Sequence, residues 1–238
     1  MKTQDIDYRD GALRLSGFLA YDETLGGKRP GVVVVHEAWG LGEHAMERAR
    51  KLAALGYVAL AADMYGERRQ AAGMEQAMAL IGDLRSDPAK LRARAQAAVD
   101  TLAALPEVDA DRLGAIGFCF GGTTVLELAR GGSALRGVVS FHGGLESTAP
   151  AVAGAVKASV LVCTGADDPM IPAPQVTAFE DEMRKAGADW QVISYGNTVH
   201  SFTNPSADGS VMPAILYNER TDHRSWAAMS RFFEEVFA

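Results

Sequence analysis

Apolar residues along this chain fall into two kinds of pattern that take turns. Gly31-Val32-Val33-Val34-Val35 and Tyr57 to Ala62 are short continuous runs that read as strands buried on both faces, and Leu113 to Phe118, Gly137 to Phe141, Val160 to Thr164 and Trp190 to Tyr195 read as further strands. Between them, apolar residues return at three- and four-residue spacing, the period of a helix with one buried side. Ala45, Ala49 and Leu52 mark a helix over 43–55 that Gly56 stops, and Asp87-Pro88 opens another carrying Leu91, Ala95, Ala98, Val99 and Leu102. Further helices are predicted from Thr124 to Arg130, over 174–186, and from about Asp222 onward, the last presenting Trp226, Met229, Phe233 and Val236. Residues 64–88 are less regular, with a short helix carrying Met74, Ala77, Met78 and Ile81. Only the start follows a different rule: 4–9 and 12–20 alternate polar and apolar about Asp10-Gly11, which predicts an antiparallel hairpin. Strands alternating with helices predict an α/β fold, a mostly parallel twisted sheet with helices on both faces and the hairpin as an antiparallel edge. No repeat, low-complexity segment or linker interrupts the pattern, so one domain over 1–238 is expected.

In such sheets ligands bind beyond the carboxyl ends of the strands. That rule directs attention to the loops after Val35, Ala62, Phe118, Phe141, Thr164 and Tyr195. The stretch Gly117-Phe118-Cys119-Phe120-Gly121-Gly122 lies between an apolar run and a helix-forming one, and fits a G-x-nucleophile-x-G elbow with cysteine as nucleophile. Glycines there permit tight backbone angles and close strand–helix approach. The following helix turns its N–H groups toward the sulfur and favours thiolate. The plain alternative is a buried cysteine in a glycine-rich turn. After Thr164 come Asp167 and Asp168, either able to orient a histidine, and after Tyr195 comes His200. Nucleophile, acid, histidine is the chain order of α/β-hydrolases. Of the other histidines, His44 and His223 fall on or near helices, while His36 and His142 end strands without following an acid loop.

Composition narrows the classes. Lys and Arg number 23 against 30 Asp and Glu, a net charge of −7, which argues against a nucleic-acid or membrane partner. The N-terminus lacks the apolar core of a signal peptide, and no apolar run approaches a membrane span, so a cytoplasmic location is expected. The two cysteines, Cys119 and Cys163, have neither CxxC nor zinc spacing, and Cys163 sits inside an apolar run as core material. No HExxH-like pair supports a metal site on His36, His142 and His200. No cofactor or metal is expected, the partner is a small-molecule substrate, and the oligomeric state is left open.

Together these pieces resemble the dienelactone hydrolase family of α/β-hydrolases. The matching segments are the elbow, His36-Glu37-Ala38-Trp39-Gly40, Asp63-Met64-Tyr65, Gly165 to Pro172, and His200-Ser201-Phe202. The resemblance implies cleavage of a lactone or small carboxylic ester through an acyl-enzyme, with Cys119 as nucleophile, His200 as base and Asp168, four residues before Pro172, as acid. It implies that Glu37 contacts the nucleophile and helps take its proton when substrate binds. It also implies an oxyanion hole of the Phe120 and Ala38 N–H groups. Family members hold a substrate carboxylate with arginines. One of those positions is Asn204 here, and the other falls near Arg68 in an unclear register. Trp39, His142 and Phe202 are expected to shape the pocket. A general carboxylesterase, or a ligand-binding protein on the same scaffold, is the alternative.

Overall fold

The computed structural model describes residues 1–238. Eight strands and six helices follow one another as β1 (Lys2–Asp10), β2 (Leu13–Tyr21), β3 (Arg29–Val35), α1 (Glu43–Ala54), β4 (Val58–Ala62), α2 (Met74–Arg85), α3 (Pro88–Ala103), β5 (Val108–Phe118), α4 (Phe120–Arg130), β6 (Gly137–Phe141), β7 (Ser159–Gly165), α5 (Ala173–Ala186), β8 (Trp190–Tyr195) and α6 (Glu219–Val236). The strands pair in the order β1-β2-β4-β3-β5-β6-β7-β8. β3–β4, β6–β7 and β7–β8 are parallel, whereas β1–β2 and β2–β4 are antiparallel. The chain groups into two compact units, Met1–Ile116 and Gly117–Ala238. No helix is long and apolar enough to cross a membrane.

In the first unit the β-branched run Val32 to Val35 and all of β4 are buried, as strands covered on both faces must be. β1 is mostly exposed, but Tyr8 turns inward, and its hydroxyl donates to the Asp63 carbonyl at 3.1 Å and accepts the Asp63 N–H at 2.9 Å. Asp63 closes the turn after β4. Its buried carboxylate accepts the N–H groups of Ser16, Tyr65, Gly66 and Arg68 at 2.7–3.1 Å, which offsets the cost of burying the charge. Arg94 ties α3 to this turn through the Met64 carbonyl and to the end of β1 through Asp10.

In the second unit every residue of α4 is buried. Its last side chain, Arg130, bonds Glu127, Glu182 and the Leu145 carbonyl, so the buried guanidinium has partners on three sides. α6 begins at Glu219, three residues before the expected start at Asp222, because the Asn218 side chain caps the Thr221 N–H at 3.1 Å.

Candidate active site

The elbow, Gly117 to Gly122, joins β5 to α4. Cys119 stands at φ 52°, ψ −115°, outside the regions a residue with a Cβ normally occupies, a strain of about 1–3 kcal/mol. Its surroundings hold it there. The Cys119 N–H donates to the Phe141 carbonyl at 3.0 Å and to His142 Nδ1 at 3.1 Å, and its carbonyl accepts the Thr123 N–H at 3.2 Å. The neighbouring glycine is required by contact, since a Cβ on Gly117 would stand 2.0 Å from the Gly121 carbonyl oxygen. Phe120 is the first residue of α4, so its N–H points out of the helix start.

The acid and histidine loops are laced to each other. A Cβ on Gly165, at the end of β7, would lie 2.3 Å from the Thr198 carbonyl oxygen. Ala166 N–H donates to Tyr195 O at 2.8 Å and Asp167 N–H to Thr198 O at 3.0 Å. Asp167 faces solvent. Asp168 is buried: Oδ1 accepts the Met170 N–H at 2.8 Å, and Oδ2 lies 2.8 Å from His200 Nδ1. A carboxylate can only accept, so Nδ1 carries the proton and Nε2 is the outward nitrogen. His200 itself is pinned by its N–H to Ala214 O at 2.9 Å and by the Leu216 N–H to its carbonyl at 3.0 Å.

Burial alone would push the His200 imidazolium down. The Cys119 sulfur and the Asp168 carboxylate outweigh that effect and push its pKa up to about 10. Nε2 makes no fully formed hydrogen bond at rest, yet the sulfur is near enough to act on the ring. Catalytic contacts are often this loose before substrate binds.

His142 has a different place from the one expected of a pocket wall. It is fully buried behind the elbow, with Nδ1 accepting from Cys119 N–H and Nε2 2.8 Å from Thr203 Oγ1. Accepting at Nδ1 makes Nε2 the protonated nitrogen, so the ring is the neutral tautomer. Phe202 packs edge-on against it at 5.0 Å and is likewise wholly buried. Asn204 Oδ1 accepts the Ser206 N–H at 3.0 Å.

The first unit carries the remaining candidates. Glu37 is buried, with Oε2 3.3 Å from His44 Nδ1, and His44 Nε2 accepts from Arg48 Nε at 3.2 Å. Arg48 therefore fixes His44 as an Nδ1–H donor toward the carboxylate. In the sequence His44 reads as a helix residue. The usable signal was its place in the first turn of α1, directly after the 36–40 loop, with Arg48 four residues on. His36 Nδ1 lies 2.6 Å from the Glu37 carbonyl, and Tyr65 Oη donates to the Ala38 carbonyl at 2.9 Å. Trp39, half-buried, accepts the Ala71 N–H on its carbonyl at 3.0 Å. Arg68 turns to Asp5 at 2.7 Å, so its charge is already matched. No three His, Cys, Asp or Glu side chains converge in metal-ligand geometry.

Strand order, elbow and the acid-to-histidine contact define an α/β-hydrolase. The chain belongs to the dienelactone hydrolase family, whose model matches residues 15–237, and it is a hydrolase. It is similar to the solved structure named m3DLH, with 51% identity and a TM-score of 0.95 over 100% of this chain and 99% of that one. A dienelactone hydrolase-like promiscuous phosphotriesterase from metagenomic libraries shares 47% identity at a TM-score of 0.93, again over 100% and 99%. The probable 2-oxo-3-(5-oxofuran-2-ylidene)propanoate lactonase of a Bradyrhizobium species is 30% identical over 84% of this chain and 85% of its own.

Proposed function

We infer that the protein cleaves a lactone or a small carboxylic ester through a Cys119–His200–Asp168 triad. The observation that carries this reading is His200, bonded through Nδ1 to buried Asp168 and raised in pKa by the Cys119 sulfur. The sulfur attacks the carbonyl carbon, a C–S bond forms, and the carbonyl electrons move to oxygen. The N–H of Phe120, the first residue of α4, stabilises that oxyanion. Collapse expels the alkoxide, which takes the Nε2 proton of His200. Neutral His200 then draws a proton from water as the water attacks the thioester. The second collapse releases the acid, and the sulfur leaves as thiolate beside the reprotonated imidazole.

Two features favour neutral substrates over a lactone bearing a carboxylate: Asn204 has no charge to offer, and Arg68 is engaged by Asp5. Cys119→Ala tests the reading. It should abolish turnover of p-nitrophenyl acetate and of dienelactone without loss of folding, whereas retained turnover of both would refute a sulfur nucleophile. The phosphotriesterase relative favours a second substrate class, organophosphate triesters, where the same sulfur would attack phosphorus. Paraoxon turnover that disappears in the same variant would support it.

A further inference from the structure

Cys119 at φ 52° and His142 at φ 41° both stand in the left-handed region that residues with a Cβ avoid, and the catalytic scheme uses only the first of them. His142 begins the turn after β6. Its N–H donates to the Cys163 carbonyl at 2.9 Å, which continues the pairing with β7. The same turn packs on the start of α4. A Cβ on Gly143 would lie 2.6 Å from the Gly122 carbonyl carbon, and Thr123 Oγ1 donates to the Gly144 carbonyl at 3.0 Å. Main chain thus presses the His142 ring against the elbow.

The two ring nitrogens face different segments. Nδ1 accepts the Cys119 N–H at 3.1 Å and shares it with the Phe141 carbonyl at 3.0 Å. Nε2–H donates to Oγ1 of Thr203, three residues beyond His200, at 2.8 Å. One neutral ring therefore reaches from the main chain of the nucleophile to the loop of the base, and it meets the His200 ring edge-on. His142 and Thr203 are both wholly buried, so water does not replace a lost partner. Thr203 also decides which nitrogen carries the proton. The opposite tautomer would set Nδ1–H against the Cys119 N–H, donor against donor. Strained backbone persists only where its surroundings over-determine it, and this ring is one of those surroundings.

We propose that His142, with Thr203 behind it, is a positioning residue that holds Cys119 in its strained conformation and so keeps the sulfur beside His200. The inference rests on the acyl-transfer reading above, in which that sulfur is the nucleophile.

The test reads turnover of p-nitrophenyl acetate beside the His200 titration, followed by NMR of labelled histidine. His142→Leu removes both nitrogens, whereas His142→Asn puts an oxygen where Nδ1 stands. Releasing strain of the size expected at Cys119 shifts the population about 10- to 100-fold toward a relaxed backbone. His142→Leu is expected to lower kcat by that factor with KM within about twofold. It should also move the His200 titration down from about 10 as the sulfur withdraws. His142→Asn is expected to recover most of both. Should His142→Leu fail to fold, Thr203→Val is expected to lower kcat several-fold and to shift the His142 ring signals away from the Nε2–H form, with Thr203→Ser recovering most of the loss. A purely structural role would lower Tm alone. Wild-type kcat with the His200 titration still near 10 in folded His142→Leu therefore overturns the proposal, as does equal loss in His142→Leu and His142→Asn, or wild-type kcat in Thr203→Val. Hydrolysis surviving in Cys119→Ala would instead remove the acyl-transfer reading beneath it.

Discussion

Two imidazoles meet behind the Cys119 sulfur with ring centroids 5.1 Å apart, and their surroundings give them opposite chemistry. His142 accepts a main-chain N–H and is neutral; His200 faces a carboxylate and a sulfur and holds its proton. Environments that separate like groups in this way mark acid–base assignments. Asp168→Asn should leave the fold intact but offer an amide N–H to Nδ1 and so favour the wrong tautomer. Ester hydrolysis should drop by about 10³–10⁴-fold in kcat/KM, measured against unchanged thermal unfolding. The protonation of His200 can be followed directly by NMR of labelled histidine. Its titration should fall near pH 10 in the wild type and move down in Cys119→Ser, where the hydroxyl brings no charge. Because the folded-state value lies above the ordinary 6.5, its contribution to stability is fully present below about pH 6.5. That contribution is lost as the pH rises through about 10. A wild-type titration near 6.5 would contradict this electrostatic picture.

At the scale of elements, glycine has different consequences in different places. Gly82 lies in the exposed interior of α2 with nothing within 4 Å of a Cβ built on it. Gly82→Ala should stabilise the protein by about 0.5–1 kcal/mol, seen as a rise of ~2 °C in Tm. Gly117→Ala would press a methyl to 2.0 Å from the Gly121 carbonyl, force strand and helix apart, and cost ~3 kcal/mol or more. The same contrast explains what could be read from the sequence. Buried strands and amphipathic helices announced themselves by period. The elbow announced itself because its glycines serve one local geometry. β5 starts at Val108, earlier than its apolar run, because Asp109 to Arg112 extend the strand outside the core. α4 starts at Phe120, ahead of the helix-forming run, because close packing overrides the poor helix propensity of Gly121 and Gly122. The grip of His44 on Glu37 and of His36 on the Glu37 carbonyl left no periodic trace. Each depends on loop conformation, which hydrophobic spacing does not encode.

Taken as a whole, the molecule carries a net charge of −7, and the two candidate positions for recognising an anion are an asparagine and an arginine already paired with Asp5. The net negative charge repels anions at long range, and neither of these two positions offers an unpaired cation. Dienelactone, with its carboxylate, should therefore show a lower kcat/KM than its neutral methyl ester, and the gap should narrow as salt screens the repulsion. A higher kcat/KM for the free carboxylate at low salt would place a working cation in the site. The catalytic expectations depend on a carbonyl carbon becoming bonded to the sulfur of residue 119. Rapid-quench mass spectrometry during turnover of p-nitrophenyl acetate measures that bond most directly. The account predicts one acetyl group, on the peptide containing Cys119, forming and decaying at rates that reproduce kcat. Turnover with no adduct on that peptide, or with an adduct too slow to lie on the path, would contradict it.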